Sequence, residues 1–184
     1  MHYQKKAGRF VSMQLPVTYY SQYDQEIPEE WKKRSCGIVA LRMALSLRKE
    51  ADVQSSWGLV QEGLSGGAYK DGVGWKHDGL VQLAKKHGAH AFRREFRSWF
   101  LKTFYFFAEQ HLRMSLQRGI VPIVSLTVPD KNDTHLVPLI GYDNAGFIYH
   151  EPAAHTPEEG GAKHISFADF KKRWRKLAIF VGFQ

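Results

Sequence analysis

RSCGIVALRMAL, spanning Arg34 to Leu45, holds the only cysteine of a 184-residue chain, and its reading decides the fold. Apolar residues recur at Val39, Leu41, Met43, Leu45 and Leu47, with alanines at 40 and 44. A run that is apolar on nearly all sides predicts a buried central helix rather than a surface one. Cys36 stands at the start of that helix. There the helix dipole and unpaired backbone N–H groups favour a thiolate, the reactive form of cysteine. Gly37 follows it and puts no side chain in the way of an acyl substrate. The same placement also suits a small apolar side chain that simply packs well. The stretch alone leaves both readings open.

Around this helix the chain reads in two parts. LPVTYY (15–20) predicts an early strand, and SQYDQEIPEEWKKRS (21–35) a polar loop with one helical turn. A second helix is predicted over 53–64, ending at Gly66-Gly67. AYKDGVGW is a loop, HDGLVQLAKKHG a third helix closed by Gly88, and AHAFRREF a strand. Ser98 is predicted to cap a long helix running to about Gln117 and closed by Gly119. The last third is different. IVPIVSLTV, HLVPLIGYD and GFIYHEP are short β-rich runs, with DNAG (143–146) as a hairpin turn. HISFADFKKRW is a short helix and LAIFVGF a final buried strand. Helices first and a mostly antiparallel sheet afterwards is an α+β order. The length suits one domain, 1–184.

Composition excludes several classes. Hydrophobic residues make up 43% and aromatic residues 14%, which fits a folded globular protein and not a disordered one. One cysteine cannot form an internal disulfide, so a disulfide-stapled secreted scaffold is excluded. No run reaches the roughly 18–20 apolar residues of a membrane span, and the given N-terminus lacks a signal-peptide core, so a cytoplasmic location is expected. The net charge of +8 raises the question of nucleic acid. The charge is dispersed, however, and its densest cluster, KKRWRK (171–176), reads as the solvated side of a docked helix with Phe167, Phe170, Trp174 and Leu177 on its apolar face. No nucleic-acid partner is expected. Seven aromatics lie between Phe96 and Phe107. Phe96, Phe100, Phe104 and Phe107 share a helical face and are expected in the core; Trp99, Tyr105 and Phe106 lie off it. Burial between two layers is the expected arrangement, with a partner interface or peptide groove as the alternative.

A nucleophilic cysteine needs a base, an orienter and an oxyanion donor. Of nine histidines, His135 stands out because it opens the apolar run HLVPLIGYD after a polar turn, where a rigid strand would hold its ring at a cleft. Glu151 ends the next strand just before Pro152, one hairpin away, where a carboxylate would fix the imidazole tautomer. An ordinary strand-end acid is the other reading of Glu151. Gln22, after the first predicted strand, offers a side-chain amide to an oxyanion, with Gln25 and Gln14 as fallbacks. Gly74 and Trp75, in the loop 69–77, are placed to border the cleft, with Trp75 covering substrate; a packed tryptophan in an ordinary loop explains them as well. A metal site from His150, Glu151 and His155 is disfavoured because no further ligand has suggestive spacing.

With these residues assembled, the sequence resembles a papain-like cysteine peptidase, and more narrowly the stand-alone relatives of the bacteriocin-processing, double-glycine leader peptidases. LPVTYYSQYDQ resembles the opening strand that carries the oxyanion glutamine, and SCGIVALRMAL the nucleophile helix. GWKHDGLVQLAKKHGAHA resembles the following helix and strand. LQRGIVPIVSLTV and HLVPLIGYDNAGFIYHEPA resemble the paired strands that carry base and acid, and ISFADFKKRWRKLAIFV the closing helix and strand. The resemblance implies a nucleophile helix packed on a mostly antiparallel sheet. It implies Cys36 as nucleophile, His135 as base, Glu151 as orienting acid and Gln22 as oxyanion donor. The chain departs from the family pattern in three places. Glu151 stands where Asp usually precedes the proline, Ile38 where Pro commonly follows Cys-Gly, and Gln22 lies farther from the cysteine than in the strict leader peptidases. The implied activity is thiol hydrolysis of a peptide or other amide bond through an acyl-enzyme, with a peptide or protein as substrate and no cofactor. A transpeptidase or acyltransferase on the same triad, or an inactive peptide-binding module, are the alternatives.

Overall fold

A computed structural model describes residues 13–48, 53–96, 103–129 and 133–183. In chain order the elements are β1 (Met13–Gln14), α1 (Glu29–Lys32), α2 (Cys36–Leu45), α3 (Ser56–Ser65), β2 (Tyr69–Lys70), β3 (Gly74–Trp75), α4 (His77–Lys86), β4 (His90–Glu95), α5 (Thr103–Gln117), β5 (Val121–Thr127), β6 (Thr134–Tyr142), β7 (Gly146–Tyr149), α6 (Pro157–Gly160), β8 (Lys163–Ser166), α7 (Phe167–Arg173) and β9 (Trp174–Gly182). The fold is α+β. The main sheet runs β4-β9-β5-β6-β7-β8, with β1 added to β6, and every pairing in it is antiparallel.

The sheet is covered on both faces, which is why its central strands read as continuous apolar runs rather than alternating ones. Alternate residues serve opposite layers. Ile179 and Val181 of β9 face α2, α3 and α4, whereas Ala178 and Phe180 face α5 and α7. The same division separates Val121 and Ile123 from Val124 and Leu126 on β5. Helix α2 is the hub of the first layer, with Ile38, Val39, Ala40, Leu41, Met43 and Ala44 fully buried. Its side chains therefore meet neighbours on every side, as the absence of a polar stripe predicts. Gly37 is buried too, and a Cβ there would press on Leu136, Leu80 and Trp75 at 3.0–3.3 Å. The glycine lets α2 approach β6 closely, a packing demand that its reading as an open approach for substrate had not included.

Four expectations need correction. LPVTYY is not a strand beyond its first backbone bond, from Leu15 N–H to the Ile140 carbonyl at 2.7 Å. Pro16 has no donor, and Thr18 N–H turns to the Ser46 hydroxyl at 2.9 Å, so the segment leaves the sheet; the strand proper is β1, just upstream. The apolar face from Phe167 to Leu177 is not one helix. Helix α7 ends at Arg173, and Trp174 and Leu177 belong to β9, with Trp174 stacked on Phe170 at 5.2 Å between ring centroids. HIS at 164–166 lies in strand β8, and Ser166 caps α7 by accepting from Asp169 N–H. Within the aromatic segment, Phe96 is buried at the end of β4, not on a helix, and Tyr105 packs at 6.3 Å from Trp174. Phe107, expected in the core, is 63% exposed and Phe106 57%. The proposed Ser98 cap and the positions of Trp99 and Phe100 lie outside the described residues.

Candidate active site

Cys36 is the first residue of α2. The preceding residue, Ser35, would ordinarily cap the helix with its hydroxyl. Instead its side chain donates to the Trp31 carbonyl at 2.7 Å and makes no cap. The first turn of α2 therefore keeps its unpaired N–H groups and its positive end for the cysteine. The start of the helix is pinned from the side by Trp75, whose indole N–H donates to the Arg34 carbonyl at 2.7 Å.

His135 enters from β6. Its Nε2 lies 2.5 Å from Glu151 Oε1. With Nε2 engaged, Nδ1 is the nitrogen left for the sulfur, and Cys36 and His135 are close enough for each to shift the other's pKa. The imidazole thus interacts with both thiol and carboxylate. Burial works against an imidazolium here, but hydrogen bonds and charge from Cys36 and Glu151 outweigh it and push His135 up to about 10. Burial likewise raises the Cys36 thiol, yet the His135 hydrogen bond and charge, with backbone N–H groups of Leu136 and Gly37, bring it below its ordinary value. Glu151 follows the same pattern. Burial raises its carboxyl, and His135 together with the Ala153 N–H pulls it down. All three directions favour the charged forms: thiolate, imidazolium and carboxylate.

The longer arm of Glu151 is accommodated by its loop. Its Oε1 also accepts from Ala153 N–H at 2.9 Å, and its backbone N–H donates to the Gly160 carbonyl at 2.8 Å. The same loop is bound to the segment that carries Gln22. Gln22 N–H donates to the Pro152 carbonyl at 2.8 Å, the Ser21 hydroxyl to Ala154 O at 2.6 Å and the Tyr19 hydroxyl to Ala154 O at 2.8 Å. Residues 130 positions apart are thereby held in one corner. Gln22 is buried, and its side-chain oxygen has no partner among the described residues. Its side chain makes no hydrogen bond to Cys36 among those residues; its link to Glu151 runs through the Glu151–Pro152 backbone. Gln25 and Gln14 are exposed, and Gln14 sits on β1 opposite Gly141, far along β6 from His135.

A cleft of roughly 540 Å³ opens beside Cys36. Gly74 and Trp75 line it, as expected from the loop, but Trp75 is only 7% exposed. It packs against Trp31 and Tyr69 and forms a fixed wall, not a flap over substrate. The cleft also contains Arg34, Asp71, Ser125 and His77, which sequence reasoning missed. Of these, His77 carries a buried Nε2 with no partner among the described residues, and burial lowers its pKa, so it presents a neutral ring. No local pattern marks it out; it is simply the first residue of α4.

The alternative metal cluster does not assemble. His150 spends both ring nitrogens, with Nε2 on the Val17 carbonyl at 3.0 Å and Nδ1 accepting from Ala162 N–H at 3.0 Å. His155 stacks on Tyr23 at 4.3 Å.

A thiol at the head of a buried central helix, set against an antiparallel sheet that supplies an imidazole and a carboxylate, is the architecture of the papain-like cysteine peptidases. Residues 14–178 match the Peptidase_C39 like family, and the chain belongs to that family. No curated protein sequence matches it. Among solved structures it is similar to a putative C39-like peptidase from Bacillus anthracis, at 18% identity and a TM-score of 0.64, covering 95% of this chain and 98% of that one. It is also similar to the peptidase domain of Streptococcus ComA, a bifunctional ABC transporter involved in a quorum-sensing pathway, at 19% identity and a TM-score of 0.58, with 90% and 97% covered. A third is a double-glycine motif protease from an AMS/PCAT transporter in complex with its leader peptide, at 16% identity and a TM-score of 0.59, with 92% and 94% covered. Family and fold are those of cysteine peptidases. Among the described residues, no helix is long and apolar enough to cross a membrane.

Proposed function

We propose that the chain, acting as one domain, is a cysteine peptidase that cleaves a peptide amide bond through Cys36, His135 and Glu151. The observation that carries this reading is the His135 ring, with Nε2 2.5 Å from Glu151 Oε1 and Cys36 close enough for thiol and ring to shift each other's pKa. The thiolate of Cys36 attacks the scissile carbonyl, and the negative charge moves to the carbonyl oxygen. The Cys36 backbone N–H, at the open end of α2, and the Gln22 side-chain amide are the donors proposed for that oxyanion. As the tetrahedral adduct collapses, the C–N bond breaks and His135 gives its proton to the leaving amine. Water, deprotonated by His135, then attacks the acyl carbonyl; the C–S bond breaks, the acid leaves, and the Cys36 thiolate and His135 imidazolium are restored. Glu151 holds the ring in place and favours its charged form. Peptide substrate is supported by the cleft beside Cys36 and by the leader peptide bound to the related AMS/PCAT protease.

Alkylation followed by mass spectrometry at pH 5–7 tests this reading. Rapid single labelling of Cys36 that slows sharply in His135→Ala is the expected result. If both proteins label at the slow rate of a free thiol, the ion pair does not exist and the proposal falls.

A further inference from the structure

The exposed aromatic side chains that the active site does not use gather on one surface, on the side of the sheet opposite α2. Phe106, Phe107 and Met114 on α5 are 57%, 63% and 44% exposed. Phe92, on the edge strand β4, is 47% exposed and stacks at 4.9 Å on Phe180, which also contacts His111 of α5. Four of the six large apolar side chains exposed among the described residues thus belong to α5 and its neighbouring strand. A concentration of this kind is uncommon on a surface that meets only water.

Cations flank the same surface. Arg94 lies 5.1 Å from the Phe96 ring, on the β4 side. Lys171 lies 5.1 Å from the Tyr105 ring, on the α7 side. Arg118, just past α5, borders the same depression as Phe92. None of the three has an acidic partner among the described residues. The nearby acids are occupied: Glu109 by Arg113 at 2.7 Å, and Asp169 by Lys172 at 3.7 Å. The surface is therefore apolar in the middle and positive at its margins.

We infer that this face docks on an anionic lipid surface, with Phe106 and Phe107 entering the interface and Arg94, Arg118 and Lys171 meeting the headgroups. An amphipathic helix lying in the membrane plane needs such a combination: aromatic side chains to enter the acyl boundary and cations to meet negative charge. A helix face with exposed rings suits a deformable surface. A second copy of the chain would set the unpaired cations against themselves. Docking here leaves the Cys36 cleft free, because that cleft opens on the α2 side of the sheet. The inference does not rest on the peptidase reading.

Vesicle co-sedimentation of the whole chain tests it. Vesicles of equal parts phosphatidylglycerol and phosphatidylcholine are expected to bind at least about tenfold more tightly than pure phosphatidylcholine, and the difference should shrink between about 0.05 M and about 0.5 M salt. Phe106→Ser with Phe107→Ser should weaken binding about tenfold or more, and Arg94→Gln with Lys171→Gln should remove the lipid selectivity, both with Cys36 labelling unchanged. Phe107→Trp gives a readout that needs no loss of function, a blue shift of emission over wild type on adding the anionic vesicles. The inference is overturned if the anionic vesicles are not bound, or if the double serine variant binds them like wild type. It is equally overturned if the wild type forms a dimer that the serine variant abolishes, or if a soluble acidic protein, and not vesicles, occupies the face.

Discussion

The ends of β6 and β7 each place a histidine in the same corner of the molecule, His135 half-buried and His150 buried, and the two carry opposite charge preferences. His135 has a carboxylate at 2.5 Å on one nitrogen and the Cys36 thiol nearby, and its pKa rises to about 10. His150 has a carbonyl on one nitrogen and an amide N–H on the other. Burial is the larger influence on it, the Val17 carbonyl offsets that only in part, and its pKa falls. An acceptor from Ala162 N–H must be a bare nitrogen, so His150 stays a neutral tautomer. Burial alone would keep both rings neutral; the partners decide which one can take and give a proton. One ring is the proposed base and the other is a tie between the chain at 17, the hairpin and residue 162. Ala162 itself adopts a left-handed backbone, φ 48°, as it delivers that N–H.

Removing the His135 ring should have the greatest effect. His135→Ala is expected to lower peptidase turnover and Cys36 labelling by roughly 10²–10⁴-fold at neutral pH, with the fold retained. Gln22→Ala should lower turnover by roughly 10²–10³-fold, as for the loss of one oxyanion donor, while leaving Cys36 labelling nearly intact. Equal loss in both assays would make Gln22 a structural residue of the Pro152 corner. Glu151→Gln removes a charge from His135 while keeping the length of the side chain. The pH above which labelling loses its imidazolium should fall by about 1–3 units, which a pH–rate profile reads directly.

The second ring is expected to act on stability alone. His150→Phe leaves Ala162 N–H without its acceptor and should cost about 1–3 kcal/mol in denaturant unfolding, with Cys36 labelling unchanged. A slower label would break the contrast between the two histidines. The pH dependence of stability separates them further. The folded value of His135, about 10, lies above its ordinary 6.5. Its contribution is complete below 6.5 and is lost as pH rises through 10. The folded value of His150 lies below 6.5, so the unfolded chain takes up a proton that the native state refuses. That contribution erodes as pH falls below 6.5. Wild type should weaken at both ends, His135→Ala chiefly at the acid end and His150→Phe chiefly at the alkaline end.

The order of elements was legible because each carries its own period or punctuation. Helix α2 is apolar all round and is buried all round; Gly88, at φ 77°, closes α4 as its position suggested; Asp143 Oδ1 accepts from Ala145 and Gly146 N–H at 2.7 and 2.9 Å in the turn read from DNAG. Local pattern failed where a neighbour competed for the chain. Phe167, Phe170 and Trp174 fit a helical face, yet pairing with β5 and β4 takes the backbone into a strand from Trp174. Phe107 fits the core face of a helix starting at Ser98, but the described helix turns Ala108, Leu112 and Leu116 inward instead.

Sequence alone determined that this chain is α+β, that a cysteine heads its central helix, and that a histidine and an acid sit one hairpin apart, because those are consequences of periodicity, turn chemistry and order. Tertiary structure decided the rest. It turned the Ser35 hydroxyl away from the helix end, fastened the Glu151 loop to the Gln22 segment, left His77 Nε2 without a hydrogen-bond partner among the described residues and made Trp75 a wall. Apart from the local Ser35 contact, these outcomes depend on groups that meet from distant parts of the chain. The charge on a buried histidine is one such outcome, since it belongs to the partners that surround the ring and not to the residue type.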